Sequence, residues 1–138
     1  MSTSSQSTAT ADDVVLHRVL ERTSEAWARS DAGAFAAAFS PSTNVVIAGS
    51  YLLGRDAVRD FIGAAFAGPM RGTRVVIDPV YLKRFAPDVA LVVTEGGVLL
   101  PGESEVAPGR GIRGTWLLGR VDEQWQVAAY HSSPIPAG

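Results

Sequence analysis

Beyond Gly68-Pro69 the chain reads as strand throughout, and that change restricts the fold more than any single motif. Before it, apolar residues recur mainly at three- and four-residue steps, as in helices that bury one face. Beyond it they alternate, as in strands. Helices first and a long run of strands last imply an α+β domain, in which the helices cover one side of a mostly antiparallel, strongly bent sheet.

Asp12 or Asp13 can cap a first helix whose inner stripe is Val15, Leu16, Val19, Leu20, Thr23, Ala26 and Trp27. Asp31 can cap a short second helix carrying Phe35 and Phe39 on one face and stopped by Pro41. "NVVIAGSYLLG" reads as a hairpin turning at Gly49-Ser50. A third helix follows in "RDAVRDFIGAAFAG", with Val58, Phe61, Ile62, Ala65 and Phe66 facing inward. The strands are then "TRVVIDPVYLKRF", "VALVVTEGGVLL", "GIRGTWLLGRV" and, after an Asp122-Glu123 turn, "QWQVAAYHSS". Proline cannot donate to a ladder, so Asp78-Pro79 marks a bulge or a sheet edge. Residues 1–10 are expected as a loose tail, 11–134 as a single domain and 135–138 as a short C-terminal tail. Three helices on a bowed sheet make a cone enclosing a pocket.

Composition excludes several functions. With 46% hydrophobic and 19% charged residues in a chain of 138, one ordinary core is expected. A formal charge of -2 offers no field for phosphates, so nucleic acid is not an expected partner. No cysteine is present, which removes disulfides, thiolate metal sites and a thiol nucleophile. His17 and His131 are the only imidazoles, too few for an expected metal site. No apolar run approaches the roughly 20 residues of a membrane span, and a cytoplasmic protein without membrane attachment is expected.

Alternation in the last strand places Trp125, Val127, Ala129 and His131 on one face, turned from the Gln-bearing side. His131 is therefore expected at the core or cavity, as an internal strut, a ligand contact or a proton carrier. Glu95 is either a carboxylate aimed into the cavity or the partner of Arg74 or Arg113 on a neighbouring strand, and Gly96-Gly97 after it reads as a bulge. Trp27, Phe39, Tyr51, Phe61, Phe66 and Trp116 fall where helices and sheet converge, giving an apolar, polarisable lining.

The stretches "AWARSDAGAFAAAFS", "YLLGRDAVRDF", "PDVALVVTEGGVLLPGE" and "WQVAAYH", in this order, resemble the nuclear transport factor 2-like superfamily. Within it the likeness is to the SnoaL-like SgcJ/EcaC group, associated with enediyne and other polyketide pathways. The resemblance covers about Asp12 to Ser133 and implies a homodimer, for which the outer sheet face is suited. Set beside the ketosteroid isomerases of the superfamily, the tyrosine of the first helix corresponds to Thr23 and the carboxylate base falls near Ile47, so that proton-transfer pair is missing. Ile47 then joins the lining. The reading implied is cofactor-free binding of a hydrophobic polyketide or polyene intermediate. The alternatives are a cyclase, isomerase or dehydratase with His131 as base and Glu95 assisting, or a structural partner of a synthase.

Overall fold

The computed structural model describes residues 3–136. Three helices, α1 (Thr3–Ala28), α2 (Ala32–Ala37) and α3 (Arg55–Ala67), pack against one sheet. Its strands are β1 (Phe39–Ile47), β2 (Ser50–Leu53), β3 (Arg74–Ala86), β4 (Val89–Leu99), β5 (Gly111–Val121) and β6 (Gln124–Pro134). They lie in the order β2-β1-β6-β5-β4-β3. Every neighbouring pair is antiparallel except β1 and β6, which run parallel. The α+β class follows the order of periodicities, and the sheet is mixed.

In α1, Leu16, Val19, Leu20, Thr23, Ala26 and Trp27 are buried, as the helical stripe requires, whereas Val15 is exposed. The helix starts at Thr3 rather than at an Asp12 or Asp13 cap, so most of the expected tail is helical. Once the amphipathic segment has nucleated, each added residue gains a hydrogen bond, and serine and threonine oppose propagation only mildly.

Asp31 caps α2 as expected, its Oδ1 accepting from the Ala34 amide at 2.9 Å. The helix stops at Ala37, and Phe39 opens a strand instead of ending a helix. The reason is tertiary: the Val127 amide of β6 donates to the Ala38 carbonyl at 2.8 Å and captures the chain. Pro41 falls where the β1–β6 register shifts, between Phe39 and Asn44, a place where a missing N–H weakens the ladder little.

The hairpin turns at Ala48-Gly49, one residue before the expected place, with φ of 51° and 80°. Two successive left-handed residues are the geometry that matches strand twist in a two-residue hairpin. Ile47 then pairs with Ser50 and Val45 with Leu52. At the opposite edge, Asp78-Pro79 satisfies both expectations, since β3 is the edge strand and its register shifts between Pro79 and Tyr81. Gly96 and Gly97, by contrast, pair regularly with both neighbours and form no bulge.

The irregularity that matters lies in β6. Opposite Leu117 and Leu118, the partners are Ala129 and Val127. Ala128 is therefore an extra residue, and a one-residue slip exchanges the faces of everything after it. The β5–β6 pairing also continues past the expected domain limit at residue 134, with the Ile135 amide donating to Gly111 at 2.8 Å.

Candidate functional site

Between the helices and the inner sheet face lies a cavity of about 570 Å³, within the range of roughly 300–1,000 Å³ usual for small-molecule sites. An unbroken run of aromatic contacts crosses this region. Phe66 meets Trp27 edge-on at 5.3 Å between ring centroids, and Trp27 meets Phe35 at 5.8 Å. Phe35 meets Phe39 at 5.3 Å, Phe39 meets Trp116 at 6.4 Å, and Trp116 meets Tyr130 at 4.3 Å. All except Phe66 border the cavity. Aliphatic side chains from β1, β2, α3, β3 and β4 complete the wall, among them Val45, Ile47, Leu52, Ile62, Ile77 and Val98.

The indole N–H groups, which would be costly to bury unpaired, are both satisfied by threonines. Trp27 donates to Thr73 Oγ1 at 2.9 Å and Trp116 to Thr94 Oγ1 at 3.0 Å.

Polarity is confined to one corner. Thr94, Gly114 and Ser132 lie side by side across β4, β5 and β6, and Tyr130, two residues before Ser132, reaches over the glycine. A β-carbon at Gly114 would stand 2.8 Å from Tyr130 Cε1, 3.0 Å from Thr94 Oγ1 and 3.1 Å from the Tyr130 hydroxyl, so only a glycine admits this arrangement. Burial raises the Tyr130 phenol pKa above the ordinary tyrosine value, and the neighbouring Ser132 hydroxyl offsets this only in part. Tyr130 is thus a neutral donor at physiological pH. No aspartate, glutamate, lysine, arginine or histidine lines the cavity among the described residues.

Several expected site residues therefore change place. Trp27, Phe39, Ile47, Phe61 and Trp116 line the cavity. Phe66 is buried behind Trp27, supporting it without forming the lining. Tyr51 is 62% exposed and donates its hydroxyl to Asn44 Oδ1; it pairs with Val46, on the face opposite the cavity-lining Val45, Ile47 and Leu52. His131 is corrected most: the Ala128 bulge turns it outward, exposed, opposite Thr115 and Val46. Tyr130 takes the inward position. Glu95 also points away, paired through Oε2 with Arg113 at 2.9 and 3.1 Å directly across the β4–β5 ladder. Both groups of that pair are largely solvated, so its contribution is small. Thr23 is fully buried, its hydroxyl donating to the Leu20 carbonyl at 2.6 Å, and it does not line the cavity.

This arrangement of helices, sheet and cavity agrees with a family match that spans residues 16–138, to the model described as SnoaL-like domain. The chain belongs to the SnoaL-like domain family. Solved structures place it in the cystatin-like, nuclear transport factor 2-like fold. A domain of unknown function from Nostoc punctiforme superposes with a TM-score of 0.83 at 26% identity, covering 91% of this chain and 78% of that one. A nuclear transport factor 2-like protein from Novosphingobium aromaticivorans gives 0.81 at 14% identity, covering 98% and 89%. No match to this chain is found among curated proteins.

Among the described residues, this SnoaL-like domain has no group of three or more His, Cys, Asp or Glu able to hold a metal ion, and no helix long and apolar enough to cross a membrane. Tyr130 and Ser132 were not legible as site residues, although Gly114, opposite Ser132 and beneath the Tyr130 ring, marks a close approach. The loop of residues 100–110 is tied down rather than free: Glu103 accepts from Arg110 at 2.5 Å and from the Leu100 amide at 2.8 Å. The hydrogen bond from Arg110, then that from Leu100, holds its carboxyl below the usual range.

Proposed function

We propose that this domain binds a hydrophobic, conjugated polyketide or polyene intermediate in its cavity, without a cofactor, in an enediyne or related polyketide pathway. The observation that carries this reading is an aromatic wall facing about 570 Å³ of space with no acidic or basic side chain on it. Flat conjugated molecules match such a surface because ring contacts add to the burial of apolar area. The role is binding rather than turnover, since His131 and Glu95 lie outside the cavity. Titration with diphenylhexatriene, a conjugated polyene, followed by tryptophan fluorescence, is expected to give saturable quenching at micromolar probe. A linear, non-saturating response would count against the proposal.

A homodimer through the outer sheet face accompanies this reading. Tyr51, Leu53, Tyr81 and Leu117 are exposed there, on the side the helices leave uncovered. Gel filtration is expected to give twice the mass of the chain. A monomer at all concentrations would remove the dimer and leave that face to a synthase component.

A further inference from the structure

We infer that the cavity selects neutral ligands carrying one hydrogen-bond acceptor, a ketone or enone oxygen, at the end of a rigid apolar body, and that Tyr130 with Ser132 holds that oxygen. The inference rests on the binding role proposed above and adds what the bound molecule must look like.

Three observations lead to it. First, the hydroxyls bordering the cavity are gathered rather than scattered. Thr94 and Ser132 flank Gly114 in the sheet, and Tyr130 lies over it with its oxygen 3.1 Å from the point a side chain would occupy. Second, the groups differ in what they can still offer. Thr94 Oγ1 already accepts from Trp116, whereas the Tyr130 hydroxyl stands over the same glycine, with Ser132 next to that glycine in the sheet. A phenol is a stronger donor than the aliphatic hydroxyls of Thr94, Ser132 and Ser133 that also border the cavity. Third, the remaining wall is apolar and holds no cation. A carboxylate entering it would lose its hydration with no countercharge to replace it, which is far more costly than burying a carbonyl that finds one donor.

Position follows from the same geometry. Tyr130 stands at one end of the aromatic run, against Trp116, while Trp27 and Phe35 stand at the other. An acceptor seated at Tyr130 therefore directs a conjugated body along Trp116 and Phe39 toward the helices.

A matched series of stilbene, acetylstilbene and stilbene carboxylate tests this, because the three share one rigid shape. Measured with wild type and with Tyr130→Phe at about pH 8, where the carboxylate is fully ionised, acetylstilbene and stilbene are both expected to bind wild type. The carboxylate is expected to bind at least about a hundredfold more weakly than the ketone. In Tyr130→Phe the ratio of ketone to hydrocarbon affinity is expected to fall about five- to tenfold. The carbonyl stretch of bound acetylstilbene gives a reading that needs no variant: hydrogen bonding lowers it relative to the value in hexane. An unchanged ratio, an unshifted stretch, or a carboxylate that binds as well as the ketone overturns the inference while leaving the cavity a binding site. Failure of stilbene itself to bind overturns the underlying binding role as well.

Discussion

Replacing Trp116 with alanine is expected to lower the unfolding free energy by about 3–5 kcal/mol, the range for truncating a large buried aromatic. The residue is 2% exposed and touches both Phe39 and Tyr130. Three losses combine. The ring's contacts disappear and the existing cavity grows into the space. Thr94, itself buried, loses the indole N–H that its oxygen accepts, and an unmet buried polar group costs about 1–3 kcal/mol. Tyr130 loses the ring that fixes its own. Denaturant titration should show a lower midpoint with an unchanged slope, since a smaller side chain alters stability more than the surface exposed on unfolding. Trp116→Phe separates the contributions, because it keeps an aromatic ring and deletes the N–H; its cost should be nearer about 1–2 kcal/mol. A loss below about 1 kcal/mol for the alanine variant would mean that Trp116 does not form the cavity wall.

The same residue shows why some of the site was legible and some was not. Trp116 lies on β5, whose register with β4 is uninterrupted from Val89 to Gly97, so counting by twos from the apolar run gives its face correctly. Trp27 and Phe61 are likewise on helices, where three- and four-residue spacing fixes orientation. His131 was expected inward by the same counting, and the counting failed at one residue. The bulge at Ala128 has no compositional mark, because alanine is accepted in a regular strand and in a bulge alike. It is set by pairing with β5 and β1, which is tertiary information. Tyr51 fails for a different cause: in the hairpin it shares a face with Val46 rather than with Ile47, so it cannot join the wall that Ile47 and Leu52 form. Glu95 was open between two readings, and the cross-strand partner Arg113 decides it. Fold class thus follows from the order of periodicities, while the polar corner depends on a bulge that no local pattern announces.

Gly96→Ala is expected to destabilise the domain by about 3 kcal/mol or more, although it adds only a methyl group. A β-carbon there would lie 1.9 Å from the Val76 carbonyl oxygen and 2.6 Å from its carbon. These are backbone atoms of β3, so no rotamer change relieves the contact; the strand itself must move. β3 is an edge strand held in the sheet by β4 alone, and Val75, Val76 and Ile77 on it line the cavity. Displacing it would therefore weaken diphenylhexatriene binding together with stability. Gly63→Ala, in the middle of α3, is the contrasting substitution. Its nearest neighbour would be the Ala32 side chain at 3.6 Å, an ordinary contact, and removing a helical glycine should stabilise by about 0.5–1 kcal/mol. Thermal melts of the two variants should then move in opposite directions. If Gly96→Ala melts within a few degrees of wild type, about what 0.5 kcal/mol produces in a domain of this size, β3 does not approach β4 this closely and the cavity is wider on that side.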